Sequence, residues 1–253
     1  MTLAVDLSGR VALVTGGTRG IGRGITLALL EAGAAVVTCS RSDGETVPGS
    51  SHVVCDVRDP EAFGSLVRSV VDERGRLDVL VNNAGGAPAA DAATASPRFH
   101  EKVVGLNLLA PLACAQAANA VMQQQEAGGA IVNISSVSAS RPAPTIAAYA
   151  AAKAGLDSLT TSLAMEWAPR VRVNAIDVGL CRTEQTDDHY GDDASVAAIE
   201  RTIPLGRMAR PEEVGAVAAF LASDLASYVS GATVACHGGG EPPAFLLVSK
   251  GLT

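Results

Sequence analysis

The sequence predicts an α/β fold with a single doubly wound parallel sheet and helices on both faces. Short apolar runs of strand length alternate with longer helical patterns along all 253 residues. Hydrophobic residues make up 48% of the chain and aromatic residues only 3%, a mixture that suits buried parallel strands under closely packed helices. The alternation implies right-handed crossovers. No linker or internal repeat interrupts it, so we expect residues 1–253 to form one domain.

The first half of the chain contains predicted helices at residues 21–31 and 60–73. Gly33 closes the first helix, and Asp59 and Pro60 mark the start of the second as its N-cap and first-turn residue. Four apolar runs of strand length alternate with these helices. The predicted strands are residues 11–15, 36–39, 53–55 and 77–82.

The second half continues the alternation but has two segments outside it. The first, residues 184–203, is acidic. The second is the tail at 238–253, whose apolar run at 244–248 is expected to pack on a neighbouring surface, because exposed apolar runs are costly. The regular elements are helices at 97–125, 145–167 and 211–223 and strands at 130–135, 170–176 and 233–236.

Charge and composition argue against several classes of protein. The formal net charge of −7 disfavours binding to nucleic acid, which needs a basic surface. No run approaches the roughly 18 apolar residues that span a bilayer, and residues 1–6 lack the sections of a signal peptide. The five cysteines are scattered singly, which predicts neither a metal site nor a disulfide framework. We therefore expect a cytoplasmic protein without nucleic-acid or membrane partners.

A glycine-rich turn follows the first predicted strand and opens the first predicted helix. Residues 15–22 read Thr-Gly-Gly-Thr-Arg-Gly-Ile-Gly. Glycines there let the backbone approach a pyrophosphate, whose charge is favoured by the helix N-terminus. Such turns also arise for local reasons, but the position after the first strand favours a dinucleotide site. The predicted contacts are Gly16, Thr18, Arg19, Gly20, Ile21 and Gly22.

The end of the second predicted strand indicates which dinucleotide is bound. Many NAD-binding folds have an acidic residue there, which accepts hydrogen bonds from the ribose hydroxyls. This chain has Ser40 and Arg41 instead, and Arg19 lies in the glycine turn near the same ribose. Two arginines suit a 2′-phosphate, although both could be solvated surface residues. The sequence favours NADP(H) over NAD(H).

Further cofactor contacts are expected after the third and fourth strands. Asp56 can accept a hydrogen bond from the adenine amino group, or it can simply cap a turn. Small residues and amides after the fourth strand let the chain pass close beneath a cofactor at the carboxyl edge of the sheet. The predicted contacts are Asp56, Val57, Asn83, Ala84 and Gly85.

A serine, a tyrosine and a lysine reach the same edge. Ser136 follows the fifth strand, and Tyr149 and Lys153 are four residues apart on a predicted helix, so they share one helical face. An ammonium near a phenol favours the phenolate and lowers a pKa that is ordinarily about 10. Tyr149 could then exchange a proton with a substrate oxygen held by Ser136.

This ordered set of motifs resembles the short-chain dehydrogenase/reductase family from about residue 7 to residue 239. The resemblance implies a Rossmann fold and a catalytic triad of Ser136, Tyr149 and Lys153, with Tyr149 as general acid in reduction. It also implies that Asn107 holds a water that links the lysine to a proton relay. It further implies a homotetramer, a substrate lid at about 184–203 and cofactor contacts at Gly179, Cys181 and Thr183.

Two positions depart from the family pattern. Val178 replaces a usual proline after the sixth strand, beside Asp177, where small residues are common. We expect an altered loop there rather than lost activity. His237 stands where the family often has aspartate before the C-terminal glycines, and a lone histidine is more often structural than catalytic. For Cys181 we expect a contact through its backbone, because no obvious base could activate its thiol.

The predicted activity is hydride transfer between nicotinamide and a small ketone, aldehyde or secondary alcohol. The family's frequent β-ketoacyl reductases act on substrates linked to a carrier protein or coenzyme A. This alternative stays open, although the acidic residues of 184–203 would suit an acidic carrier protein poorly. A third alternative is a non-catalytic protein that senses dinucleotides. Such proteins typically lose the tyrosine or the lysine, and this chain keeps both.

Overall fold

The computed structural model describes residues 4–243, without the side chains of Asp187 and His189. The predicted apolar run at 244–248 lies outside the described residues. Within this part of the chain, apolar segments form seven strands, which are β1 (Val11–Thr15), β2 (Ala35–Ser40), β3 (Ser51–Val54), β4 (Val79–Asn82), β5 (Gly129–Ile134), β6 (Val171–Val178) and β7 (Thr233–Cys236).

The strands form one sheet in the order β3-β2-β1-β4-β5-β6-β7. Every neighbouring pair is parallel, and the chain changes direction across the sheet between β1 and β4. In an open sheet of this kind, ligands bind at such a switch point, outside the carboxyl ends of the strands. The predicted fold class is confirmed.

Helices cover both faces of the sheet. The helices are α1 (Gly20–Glu31), α2 (Pro60–Arg74), α3 (Pro97–Val104), α4 (Ala110–Met122), α5 (Ala147–Glu166), α6 (Thr186–Tyr190), α7 (Asp193–Glu200) and α8 (Pro211–Ala222). The side chains of β1 alternate: Leu13 packs into the core beneath α2, α4 and α5, whereas Ala12 and Val14 pack into the core beneath α1 and α8.

Element ends differ from the predicted ones where side chains or strained backbone intervene. The helix predicted at 97–125 ends at Met122 and contains a π-helical turn, Gly105–Leu109, between α3 and α4. Beyond its end, the Gln125 side chain accepts a hydrogen bond from Leu77 N and donates one to Leu77 O. The helix predicted from 145 begins at 147, because Thr145 has a φ of 67°, which a right-handed helix cannot contain.

The helical segment Pro97–Met122 is long and apolar enough to cross a membrane by length and composition alone. The sequence prediction counted uninterrupted apolar residues, and polar ones such as Glu101, Asn107 and Gln116 interrupt this helix, so the two statements do not conflict. Core helices meet the same criterion, and in this structure α4 packs against α2 and the sheet.

Candidate active site

The glycine turn is shaped by tight backbone approaches. Gly16 has a φ of 65°, which favours glycine. The Asn83 side chain donates hydrogen bonds to Thr15 O at 2.8 Å and to Gly16 O at 3.1 Å. A side chain at Gly22 would collide with Gly16 O. These contacts hold the turn open at the start of α1 and bring the predicted residues of β1 and β4 together.

An acidic side chain from the predicted lid lies against this turn. Glu184 Oε2 accepts a hydrogen bond from Gly20 N at 3.1 Å, and a Cβ on Gly20 would lie 3.5 Å from Thr183 Cγ2. A carboxylate therefore occupies the kind of position that a phosphate oxygen takes at a helix N-terminus. The turn and its backbone donors fit an anionic group such as a dinucleotide pyrophosphate.

The ends of β2 and β3 form the next part of the edge. Arg19 and Arg41 are exposed, and Ser40 Oγ donates to Ser42 O at 2.8 Å. His52, which the sequence analysis did not single out, has Nε2 3.3 Å from Ser40 Oγ. A polar side chain in a short strand gives no sequence signal for this contact.

Asp56, predicted as an adenine contact, is bound by a neighbouring arginine. Arg58 Nη2 lies 2.6 Å from Asp56 Oδ2, and this hydrogen bond is the main reason why the pKa of the Asp56 carboxyl lies below its usual range. Arg58 N also donates to Asp56 Oδ1 at 3.0 Å. The residue therefore orders the turn after β3, as the turn-capping alternative predicted, while Val57 is buried.

Ser136, Tyr149 and Lys153 converge at the carboxyl end of β5. The Ser136 side chain lies close enough to the Tyr149 hydroxyl to act on its pKa. Lys153 Nζ donates to Ile134 O at 2.6 Å and lies 5.6 Å from the centroid of the Tyr149 ring. The last residues of β5 and one face of α5 thus hold a hydroxyl, a phenol and an ammonium beside one another.

Burial dominates the titration of the tyrosine and the lysine. It raises the pKa of Tyr149, an effect that the neighbouring Ser136 hydroxyl opposes and that Tyr190 and Asp177 reinforce. Burial also lowers the pKa of Lys153 to about 8. In the chain alone the pKa of Tyr149 thus lies above its usual range, with burial as the main cause, and the lowering by Lys153 stays a prediction.

Asn107 lies in the π-helical turn and is held by distant backbone. Its Oδ1 accepts from Gly86 N at 2.8 Å, and its Nδ2 donates to Gly86 O and to Val103 O, each at 2.9 Å. A Cβ on Gly85 would lie 2.8 Å from Asn107 Oδ1 and 3.5 Å from Lys153 Nζ. The amide thus lies on the same side of the site as the lysine, and glycine at 85 leaves the space between them open.

The segment after β6 passes under the other side of the site. Val178, which stands where the family usually has proline, pairs with Cys236 and ends β6. A Cβ on Gly179 would lie 2.7 Å from His237 Cα, so glycine is required for this crossing. Burial raises the pKa of the Cys181 thiol to about 12, in keeping with an inert thiol.

Two carboxyl groups that the sequence analysis did not connect lie close to the catalytic candidates, Asp177 near Tyr149 and Asp157 near Lys153. Oδ1 of Asp157, on α5, and Oδ1 of Asp177, on β6, are both buried and have no hydrogen-bond partner among the described residues. Burial is the main cause that raises the pKa of each, and the charge of Asp157 raises the pKa of Asp177 further. The spacing of 20 positions along the sequence gave no signal for this pair.

The predicted site residues therefore share one edge of the sheet. The catalytic candidates lie just after β5, in the first two turns of α5 and in the π-helical turn, whereas the cofactor candidates lie after β1, β2, β3, β4 and β6. The latter are Gly16, Thr18, Arg19, Gly20, Ile21, Gly22, Ser40, Arg41, Asp56, Val57, Asn83, Ala84, Gly85, Gly179, Cys181 and Thr183.

The comparisons with known proteins all point to the same family of oxidoreductases. A family profile described as "Enoyl-(Acyl carrier protein) reductase" matches residues 16–241. The chain is 37% identical to 3beta-hydroxysteroid dehydrogenase 1 of Eggerthella lenta, an alignment that covers 92% of this chain and 94% of that protein. It is 36% identical to 2-dehydro-3-deoxy-D-gluconate 5-dehydrogenase of Pseudoalteromonas atlantica, with coverage of 92% and 96%.

Solved structures agree in fold. Aldohexose dehydrogenase of Thermoplasma acidophilum, in its ligand-free form, superposes with a TM-score of 0.88 at 28% identity, covering 98% of this chain and 97% of that one. A structure from Beutenbergia cavernae, described as an NAD(P)-dependent gluconate 5-dehydrogenase with NADP bound at low occupancy, gives a TM-score of 0.86 at 39% identity, with coverage of 93% and 98%.

Proposed function

Because this chain belongs to the short-chain dehydrogenase/reductase family of oxidoreductases, we propose that it transfers hydride between NADP(H) and a ketone, aldehyde or secondary alcohol. The observation that carries the proposal is the convergence of the Ser136 hydroxyl and the Lys153 ammonium on the buried Tyr149. A phenol and an ammonium in one buried cluster can exchange a proton with a substrate oxygen.

Each side chain has a defined role in this proposal. The nicotinamide cofactor, when bound, supplies the hydride in reduction and accepts it in oxidation. In reduction, Ser136 orients the carbonyl oxygen and Tyr149 donates its proton to that oxygen. Lys153 stabilises the phenolate that remains, and Asn107, as the fourth member, positions the water through which Lys153 is reprotonated.

Cofactor binding is proposed along the edge already described. The glycine turn would hold the pyrophosphate, and Gly179, Cys181 and Thr183 would face the nicotinamide half. The preference for NADP(H) over NAD(H) rests on Arg19 and Arg41, which are both exposed and available to a 2′-phosphate, and on the lack of an acid at position 40. The Beutenbergia cavernae relative, which holds NADP, supports this choice.

The names of the relatives support a small-molecule carbonyl or alcohol substrate. They include dehydrogenases of steroids and of sugar acids, whose substrates differ widely in polarity. The family profile, named for a carrier-protein reductase, keeps the β-ketoacyl alternative as a second candidate. The acidic residues of the lid, among them Glu184 and Asp193, still disfavour an acidic carrier. A cytoplasmic homotetramer is part of the same proposal.

The experiment is turnover of NADPH with a panel of ketones and aldehydes. We expect oxidation of NADPH in equimolar amount with the alcohol product for at least one member of the panel. The panel includes β-ketoacyl esters of coenzyme A, so that the second candidate is tested together with the first. Tight binding of NADPH with no turnover on any member would contradict the proposal and favour a dinucleotide-sensing protein.

A further inference from the structure

A cavity of about 570 Å³ lies beside the proposed active site. Its wall comes from the loop after β5, the segment after β6, residue Ile203 and the glycine segment after β7. Such a volume suits a small or medium-sized ligand. Most of the wall is apolar or backbone, contributed by Val137, Pro142, Gly179, Leu180, Ile203, Gly240 and Pro242.

One ion pair interrupts this apolar wall. Arg141 Nη2 lies 2.9 Å from Glu241 Oε1, and the two side chains are 38% and 35% exposed. Among the described residues that line the cavity, these two are the only ones with formal charges. The cavity therefore offers a substrate one guanidinium, which at present binds a carboxylate from the same chain.

The two partners are attached to the fold in different ways. Arg141 follows the short 3₁₀ turn Val137–Ala139, which begins directly after Ser136. Glu241 follows three glycines, residues 238–240, whose φ angles are 66°, 98° and 81°. Those angles belong to the region that favours glycine. The arginine thus belongs to the loop that carries Ser136, whereas the glutamate lies at the end of a glycine segment.

A second polar group in the wall has no hydrogen-bond partner. His237 lines the same cavity, and its Nδ1 is buried without a hydrogen-bond partner among the described residues. Buried polar atoms are nearly always paired, and an exception in a native structure calls for an explanation. His237 also acts electrostatically on Asp177, whose Oδ1 is likewise without a partner among the described residues.

We propose that the substrate carries a carboxylate, which binds Arg141 in place of Glu241. The substrate class is then keto acids and their hydroxy-acid counterparts, with the carboxylate remote from the reacting carbon. The guanidinium recognises a carboxylate through paired hydrogen bonds. The displaced Glu241 returns to solvent, from which it is only partly withdrawn. The substrate carboxylate takes no part in the chemistry, in which hydride goes to the carbonyl carbon and the Tyr149 proton to the oxygen.

This inference rests on the proposed function, since it names the substrate of that site. The competing explanation is that the ion pair only ties the segment after β7 to the loop after β5. In that case removing either charge would change turnover of keto acids and of neutral ketones to the same extent. If the arginine binds the substrate, removing Arg141 should weaken turnover of carboxylate substrates, whereas removing Glu241 should strengthen it.

The test compares matched substrates in four proteins. Methyl ketones and keto acids of equal chain length are reduced by the wild type and by the variants Arg141→Gln, Glu241→Gln and Arg68→Gln. Arg68, an exposed arginine of α2, controls for the loss of one positive charge. The readout is the ratio of kcat/KM for the keto acid to that for the matched ketone.

The expected results differ in sign between the variants. The ratio should favour the keto acid in the wild type and fall by about tenfold to a hundredfold in Arg141→Gln, the usual range for a lost charge-assisted hydrogen bond. It should rise in Glu241→Gln, mainly through a lower KM, because the internal competitor is gone. Arg68→Gln should match the wild type.

A binding measurement keeps the inference testable without turnover. Hexanoate should raise the Tm of the NADP⁺-saturated wild type more than hexanamide does, and Arg141→Gln should abolish this difference. Turnover of neutral ketones with no preference for keto acids would overturn the inference and leave the proposed function intact. A ratio that falls in both Arg141→Gln and Glu241→Gln would overturn it in favour of the tying contact.

Discussion

At the scale of single residues, burial sets the protonation of the proposed acid–base pair. Lys153 is buried and its ammonium is held by Ile134 O. Desolvation lowers its pKa to about 8, against the opposing charge of Asp157. The pKa of Tyr149 is raised. Near neutral pH the lysine is therefore charged and the phenol is protonated, which is the form that reduction requires.

The first prediction concerns pH. A lysine whose pKa is lowered loses its charge as the pH rises through the lowered value, so the ammonium beside Tyr149 is present below about 8 and lost above it. We expect kcat/KM for reduction to fall above that pH. Initial rates with NADPH between about pH 6 and pH 10 check this. A profile that stays flat to the alkaline limit, with the protein folded throughout, would contradict it.

The second prediction concerns cofactor choice. Arg41 is exposed at the end of β2, where a 2′-phosphate would distinguish NADPH from NADH. The variant Arg41→Gln should weaken NADPH binding by about tenfold, as expected for one charged hydrogen bond, and leave NADH binding nearly unchanged. Fluorescence titration gives both Kd values, with Arg68→Gln as control. An unchanged ratio of the two would show that Arg41 is only a solvated residue.

At the scale of elements, the sequence predicted secondary structure correctly where a local pattern determines it. It failed where a contact with a residue distant in sequence determines the backbone conformation. Residues 11–15 and 233–236 form strands with the predicted bounds, because apolar runs of that length fit a buried parallel sheet. The π-helical turn around Asn107 was not predicted, because Gly86 holds this side chain from outside the helix. The positive φ of Thr145 likewise has no sequence signal.

In the candidate site, too, the sequence predicted what depends on local motifs and missed what depends on contacts between distant residues. The order of the motifs predicted that Ser136, Tyr149 and Lys153 meet, because parallel strands bring their carboxyl ends to one edge. The contact of Glu184 with Gly20 joins residues 164 positions apart, and periodicity carries no information at that separation. Effects of burial on pKa were missed for a similar reason, since they depend on packing from several elements.

The third prediction tests the closest contact between helices. A side chain at Gly24 of α1 would collide with the backbone of Pro211 at the start of α8. We expect Gly24→Ala to lower the free energy of unfolding by about 1–3 kcal/mol, as for overpacking. Gly64→Ala in α2 is the matched control. Its Cβ would lie 3.5 Å from Arg68 Nη1, and we expect stabilisation of about 0.5–1 kcal/mol. Equal urea midpoints for the two variants would contradict the account.

At the scale of the whole molecule, one sheet collects groups from all parts of the chain. The reversal between β1 and β4 brings the glycine turn, the amides after β4 and the tyrosine helix to the same edge. Leu109, Met165 and Tyr228 remain exposed, although large apolar side chains are usually covered. These residues are available for contacts between subunits.

The fourth prediction is therefore an oligomer. Light scattering should give a mass close to four times that of one chain, as the resemblance to the family implies, with the exposed apolar side chains of Leu109 and Met165 buried between subunits. The double variant Leu109→Glu, Met165→Glu should shift the mass toward that of a smaller assembly. A monomeric mass for the wild type at micromolar concentration would refute the tetramer.

The most direct test of the whole account is the rate of NADPH-dependent reduction in Tyr149→Phe. The variant loses only the hydroxyl that contacts Ser136, and Tyr228→Phe, which alters an exposed tyrosine, is its control. The account predicts a loss in kcat/KM of about a hundredfold or more for Tyr149→Phe, the usual contribution of a general acid. It also predicts an unchanged Kd for NADPH, and wild-type rates for the control. Equal rates in Tyr149→Phe and the wild type would contradict it.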